Sequence, residues 1–140
     1  MIEKLELKDL DEIMDIWLKT NISAHSFIDS NYWKSNFDMV KKMMQESEIY
    51  VYKENNEIYG FVGLMNDYIA GIFVSERYQS YGVGKKLLDY IKSRKNVLTL
   101  SVYKNNKRAV KFYTREKFTV VKEGIDDSND EKELTMEWKK

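Results

Sequence analysis

The feature that most constrains the fold is a strand, a glycine-bearing turn, a helix and a second strand in direct succession. DYIAGIFV, Asp67 to Val74, is rich in β-formers. After it, QSYGVGKKLLDYI carries Gly82 and Gly84, and Val83, Leu87, Leu88 and Ile91 then recur at helical spacing. NVLTLSVY, Asn96 to Tyr103, is again a strand. Two strands joined through a helix lie parallel, with a right-handed crossover. Just upstream, EIYVYK (Glu48 to Lys53) and EIYGFVGLM (Glu57 to Met65) flank the short turn ENNE and read as an antiparallel hairpin. One sheet must therefore hold both kinds of pairing. Gly71, inside its strand, marks a bulge or a close backbone approach.

The remaining elements fit around that unit. IEKLEL reads as a first strand. Asp9, with Glu12 three residues on, resembles a capping box opening a helix whose apolar face is Leu10, Ile13, Met14, Trp17 and Leu18. A polar break, TNISAHSFIDSN, leads to a second helix near Tyr32 to Gln45, carrying Phe37, Val40, Met43 and Met44. Asn106 to Glu116 reads as a short helix with Ala109, Phe112 and Tyr113 on one side. FTVVKEG and LTMEW form a last hairpin around DDSNDEKE, Asp126 to Glu133, which reads as a surface loop. The order is β-α-α-β-β-β-α-β-α-β-β. It implies an α+β class fold: a mixed, mostly antiparallel central sheet with helices on both faces. No linker or repeat divides the 140 residues, so residues 1–140 are expected to form a single domain.

Composition excludes several classes. With no Cys and one His, neither a disulfide framework nor a thiolate metal site is available, and no metal is expected. Basic and acidic residues balance at 23 each, so no global charge drives the chain onto nucleic acid or an anionic membrane. No stretch approaches the roughly 20 apolar residues of a membrane span, and MIEKLELKDL has no signal-peptide core. The expected address is the cytoplasm. Lys85-Lys86 and the run Lys104 to Lys111 are local basic clusters, either solvated faces or an attraction for an anionic ligand.

Gly82-x-Gly84 is open to two readings: a plain turn, or a loop whose bare N–H groups receive a phosphate at a helix N-terminus. A Walker A loop does not fit. Lys86 stands where a hydroxyl is needed, and Gln79 where the first glycine is needed. The dinucleotide fingerprint fails at Leu87, which replaces its third glycine.

FVSERYQSYGVGKKLLDYI closely resembles the acyl-CoA-binding segment of the GNAT superfamily, the acetyl-CoA-dependent N-acetyltransferases. Its signature is Gln or Arg, two spacers, Gly, one spacer, Gly or Ala, and Gln79-Ser80-Tyr81-Gly82-Val83-Gly84 meets it in full. NKRAVKFYTREKF resembles a second family segment, through Asn106, Ala109, Phe112 and Tyr113. Lys117 departs from the pattern, since many members carry Gly there. The likeness covers roughly Ile49 to Phe118, and the acidic stretch near the end lies outside it.

The resemblance implies the GNAT fold and an acetyl-CoA co-substrate. The pyrophosphate would sit on backbone N–H groups from Gln79 to Lys85, by way of Ser80, Tyr81, Gly82, Val83 and Gly84. The pantetheine arm would lie along Ile72, Phe73 and Val74, whose strand parts from the next. Asn106 would bind the arm or cap its own helix. Tyr113 would act as general acid to the leaving thiolate or pack in the core. An N–H near Ile72 or Phe73 would hold the oxyanion. For the general base the candidates are His25, Asp67 (directly or through water), a backbone carbonyl and bulk water. His25 would line the acceptor site or be structural, and Phe27, Tyr32, Trp33 and Tyr68 would wall that site or pack in the core. The implied reaction moves acetyl directly to a primary amine: a protein N-terminus, a lysine or a small amine. A non-catalytic acyl-CoA-binding regulatory module on the same fold is the alternative. The chain is expected to work as a monomer or homodimer on a small-molecule or protein acceptor.

Overall fold

The computed structural model describes the whole chain, Met1 to Lys140. In chain order the elements are β1 (Ile2–Lys4), α1 (Leu10–Ala24), α2 (Ser30–Ser35), α3 (Phe37–Glu46), β2 (Glu48–Glu54), β3 (Glu57–Met65), β4 (Tyr68–Val74), α4 (Val83–Lys92), β5 (Val97–Tyr103), α5 (Lys107–Arg115), β6 (Thr119–Asp126) and β7 (Glu131–Lys139). The seven strands form one sheet in the order β1-β2-β3-β4-β5-β7-β6. Every neighbouring pair is antiparallel except β4 and β5. No helix is long and apolar enough to cross a membrane.

Strand alternation sorts the side chains into two cores. Val62, Leu64, Ile69, Leu98, Leu100 and Met136 meet Leu87, Leu88 and Ile91 of α4 and Tyr113 of α5 on one face. Ile49, Val51, Ile58 and Phe61 meet Ile13, Met14 and Trp17 of α1 and Trp33 of α2 on the other. The period-2 pattern of the strands and the period-3.6 pattern of α1 and α4 thus point at the same sheet. Asn55 and Asn56 both take positive φ, 53° and 64°, between β2 and β3. That is the backbone of a tight two-residue hairpin, which asparagine tolerates better than most residues.

Three local expectations need correction. Asp9 and Glu12 form no capping box, because the neighbouring strands offer other partners. The Asp9 carboxylate takes Lys53 Nζ at 2.8 Å, and Glu12 Oε2 accepts the Ile58 N–H at 3.0 Å. The expected helix from Tyr32 to Gln45 is two helices, α2 and α3, broken at Asn36. The Asn36 side-chain amide donates to the Tyr32 carbonyl at 2.7 Å, a local bond that competes with continuing the helix. Within α3, Met43 is exposed, while Phe37, Val40 and Met44 pack on the core. The acidic stretch is only partly a loop: residues 127–130 turn, while Asp126 and Glu131–Glu133 belong to strands.

The exit from α5 explains how the chain does without the glycine expected at position 117. The Phe118 N–H bonds the Tyr113 carbonyl at 2.9 Å, and the Lys117 N–H bonds the Thr114 carbonyl at 3.1 Å. With Lys117 at φ 76°, this is a Schellman ending. Its usual apolar contact is present, the Tyr113 and Phe118 rings lying 5.5 Å apart. A residue with a Cβ pays roughly 1 kcal/mol for this left-handed conformation. Lys117→Gly is expected to raise stability by about that amount in urea unfolding. An unchanged or lower midpoint would show that the strain is compensated elsewhere.

Candidate functional site

β4 and β5 pair only at Tyr68 with Thr99 and Ile69 with Leu100, although each strand runs seven residues. Beyond Ile69 they diverge. On its other side β4 pairs with β3 to its end, but with a slip: Gly63 opposes Gly71 while Leu64 opposes Ile69. Ala70 is the extra residue, so the bulge anticipated near Gly71 lies immediately beside it. A Cβ at Gly71 would lie 2.4 Å from the Phe73 ring, so a side chain there would force that ring to move. The divergence opens a cleft of about 1070 Å³.

At one end of this cleft lies the glycine loop. Gly82, at φ 82°, turns the chain into α4 and has open space around it. The N–H groups of Gln79, Ser80, Tyr81 and Gly82 find no backbone acceptor. The first N–H groups of α4 lack intrahelical partners as in any helix. The result is a run of bare donors at a partly positive helix end, which suits an anion. Lys85, Arg108, Lys111 and Arg115 add positive charge around the cleft. Lys85 is held by Asp89 at 3.0 Å and by the buried Glu116 at 3.3 Å.

The Gln79 side chain has a separate part in the loop. Its side-chain Nε2 donates to the Val74 carbonyl at 3.0 Å, and its Oε1 accepts from Arg108 Nη1 at 3.0 Å. Arg108 Nη2 also reaches Ser80 Oγ at 3.3 Å. The Gln79 side chain therefore ties the loop to the end of β4 and to α5, while its backbone N–H has no backbone acceptor. Tyr81 is 75% exposed and lies outside the cleft, in a smaller tyrosine-lined pocket with Tyr52, Tyr59 and Tyr78. Ile72, Phe73, Val74, Val83 and Gly84 line the cleft.

Tyr113, from α5, reaches the cleft floor and is 7% exposed. Burial, reinforced by Tyr68, pushes its hydroxyl well above the ordinary tyrosine range. A phenol so placed keeps its proton. Tyr68 is more open and lies along the same cleft.

The other end is an aromatic wall. His25 caps α1, stacks on Trp33 at 5.0 Å and meets Phe27 and Tyr103 edge-on. Asn106 fixes its protonation. The Asn106 Oδ1 accepts the Ala109 N–H at 3.2 Å, capping α5, so its amide nitrogen faces His25 Nε2 at 3.2 Å. Nε2 then accepts, and Nδ1 carries the hydrogen that bonds the Asn21 carbonyl at 2.9 Å. Both ring nitrogens are engaged, so the ring has no lone pair left for an incoming amine. Phe27 and Tyr32 pack into the aromatic cluster behind the cleft lining. Asp67 also falls outside the lining, at the closed end of the strand pair, 4.0 Å from Lys95 Nζ. Two buried donors on the wall, Asn21 Nδ2 and Trp33 Nε1, have no hydrogen-bond partner.

Sequence reasoning did not single out Arg108, Tyr103 or Glu133, all of which line the cleft. Arg108 lies inside a basic run that was visible, but its direction was not. The Tyr103 hydroxyl donates to Asp126 at 2.5 Å, tying the end of β5 to the last hairpin. The signal for Glu133 was the alternation of Glu133, Thr135 and Glu137 with Leu134, Met136 and Trp138.

Burial lowers the His25 pKa below its ordinary 6.5, partly opposed by the Asn21 carbonyl. Above that value both folded and unfolded chains hold a neutral imidazole, and the fold keeps the full contribution. As pH falls through it, the unfolded chain binds the proton first, so stability drops until the folded group also titrates. Between about pH 7 and pH 5 the urea midpoint is expected to fall further for the wild type than for His25→Gln. Parallel curves would contradict this.

The comparisons with known proteins agree with this geometry. The family described as the acetyltransferase (GNAT) domain matches residues 45–120. The peptidyl-lysine N-acetyltransferase YiaC of Escherichia coli is 29% identical over 140 residues, covering 99% of this chain and 96% of that protein. The solution structure of apo YjaB from Escherichia coli superposes with a TM-score of 0.87 at 24% identity, over 99% of this chain and 96% of that one. A structure of yncA from Salmonella typhimurium, determined with its cofactor acetyl-CoA, superposes with a TM-score of 0.66 at 15% identity, over 99% and 92%. The bare-donor loop, the parted strands and these likenesses converge on one conclusion: the chain belongs to the GNAT family of acetyl-CoA-dependent N-acetyltransferases.

Proposed function

We propose that this protein transfers the acetyl group of acetyl-CoA directly to the side-chain amine of lysine in protein substrates. The observation that carries the reading is a single cleft with different chemistry at its two ends. One end offers bare N–H groups and basic side chains, suited to a pyrophosphate. The other is walled by aromatic rings and bordered by the acidic hairpin turn, suited to a cationic amine on an extended stem. The curated relative YiaC is named a peptidyl-lysine N-acetyltransferase, which supports lysine among the primary amines.

In this reading, the N–H groups from Gln79 to Lys85 hold the pyrophosphate, with Arg108 keeping the loop in place. The free edge of β4, from Ile72 to Val74, pairs with the amides of the pantetheine arm as a missing strand would. An N–H near the bulge, at Ile72 or Phe73, receives the oxyanion of the tetrahedral intermediate. The amine nitrogen attacks the thioester carbon. The carbon–sulfur bond breaks, and the Tyr113 hydroxyl gives its proton to the thiolate. Asn106, already bonded through both ends of its amide, holds α5 and His25 together beside the reacting centre.

Two variants test this. Gly82→Asp places a carboxylate among the phosphate donors, and calorimetric titration is expected to show acetyl-CoA binding lost with the fold intact. Binding indifferent to that change would remove the loop from the site. Tyr113→Phe is expected to bind acetyl-CoA as the wild type does while kcat on an N-terminally blocked lysine peptide falls roughly 10²- to 10⁴-fold. An unchanged kcat would leave Tyr113 a packing residue.

A further inference from the structure

We propose that Glu133, on β7, is the general base that takes the proton from the incoming lysine amine. This rests on the lysine-acetylation reading above. Glu133 is the sole carboxylate lining the cleft. It pairs directly across from Tyr103, in the register that also sets Leu134 opposite Val102 and Met136 opposite Leu100. Those four apolar residues enter the core on the α4 and α5 face. By alternation, Glu133 projects from the opposite face, where Tyr103 joins the aromatic wall. It thus stands at the acceptor end, across the cleft from the phosphate loop.

The acidic groups flanking it on the two strands are committed. Asp126 accepts from the Tyr103 hydroxyl and from the Asn129 side chain, and Glu131 accepts from Asn105. Asp67 lies outside the cleft and His25 has no free lone pair, for the reasons given above. Glu133 has neither an ion pair nor a side-chain hydrogen bond within the protein, so its oxygens are free for a substrate; Asp127 and Asp130, in the turn, do not line the cleft. Its surroundings also raise its basicity: burial first, then the charge of Asp126, lift its pKa above the ordinary glutamate value. Asp126 from β6 bears on its titration, and Tyr103 from β5, His25 at the end of α1 and Lys111 from α5 are titratable groups lining the same cleft.

The proton account closes. The lysine enters as an ammonium and gives one proton to the Glu133 carboxylate, freeing its lone pair. That lone pair forms the nitrogen–carbon bond. As the carbon–sulfur bond breaks, the nitrogen loses its second proton to the Tyr113 oxygen, which has passed its own to sulfur. Products are the acetyl-lysine amide, CoA thiol and one proton that Glu133 returns to solvent.

The test compares wild type, Glu133→Gln and Glu133→Asp with acetyl-CoA and an N-terminally blocked lysine peptide, over about pH 6 to pH 10. For Glu133→Gln, kcat is expected to fall roughly 10²- to 10⁴-fold near neutrality, with acetyl-CoA affinity by calorimetry unchanged. The gap should narrow as pH approaches the lysine value, where the amine is already neutral, and Glu133→Asp should recover part of the loss. A Glu133→Gln enzyme with wild-type kcat at every pH, or one that only raises the peptide KM, overturns the assignment. A wild type that binds acetyl-CoA yet acetylates no lysine peptide overturns the lysine reading itself and this assignment with it. The two failures are told apart by the wild-type activity.

Discussion

The short parallel pairing between β4 and β5 is the constraint on which the rest of the molecule turns. Two residue pairs hold the strands together, and from there they part. The parting is held from both sides. On the β3 side, the slip at Gly63 and Gly71 bends β4 away from the line of the sheet. On the β5 side, antiparallel pairing with β7 along the whole strand keeps β5 straight. The cleft is therefore a property of the sheet, with little left for loops to decide.

Helices then finish what the sheet begins. The crossover helix α4 must start where β4 ends, so its free N–H groups open at the mouth of the cleft as a consequence of topology. Packing of Leu87, Leu88 and Ile91 under the sheet fixes its direction. α5 is held at both ends, by the Asn106 cap and by the Schellman ending at Lys117, and it carries Tyr113 between them. The same Asn106 amide reaches His25 across the cleft wall. One side chain thus links the end of α1 to the start of α5, on opposite faces of the sheet.

Much of this was legible in the residues. β3 and the glycine loop could be read nearly residue by residue, because period-2 apolar runs and glycine spacing are strong local signals. The mixed sheet followed from one unavoidable crossover. What stayed hidden depended on partners far along the chain. Asp9 and Glu12 look like a capping box until Lys53 and the Ile58 N–H arrive from the sheet to claim them. The break at Asn36 rests on one side-chain amide choosing a backbone carbonyl. The Gln79 side chain's bonds to the Val74 carbonyl and to Arg108, which fasten the glycine loop, also come from partners that local spacing does not reveal. Glu133 looked like part of a solvated acidic turn, because strand register, which decides the face, is invisible without the partner strand.

A sheet that parts in its middle is also a sheet left incomplete. Gly71 through Val74 pair on one side only, and in the reading proposed above the amides of acetyl-CoA would fill the other. A ligand that binds only the folded chain stabilises it by about 2.7 kcal/mol at a hundredfold excess over Kd. Occupation of the parted edge by acetyl-CoA would in that sense tie the abundance of the protein to its substrate. With acetyl-CoA low, the chain would lose a structural partner as well as a reactant, and quality-control proteases would meet more of it unfolded. Acetyl-CoA supply would thus govern how many copies survive as well as how fast each one works.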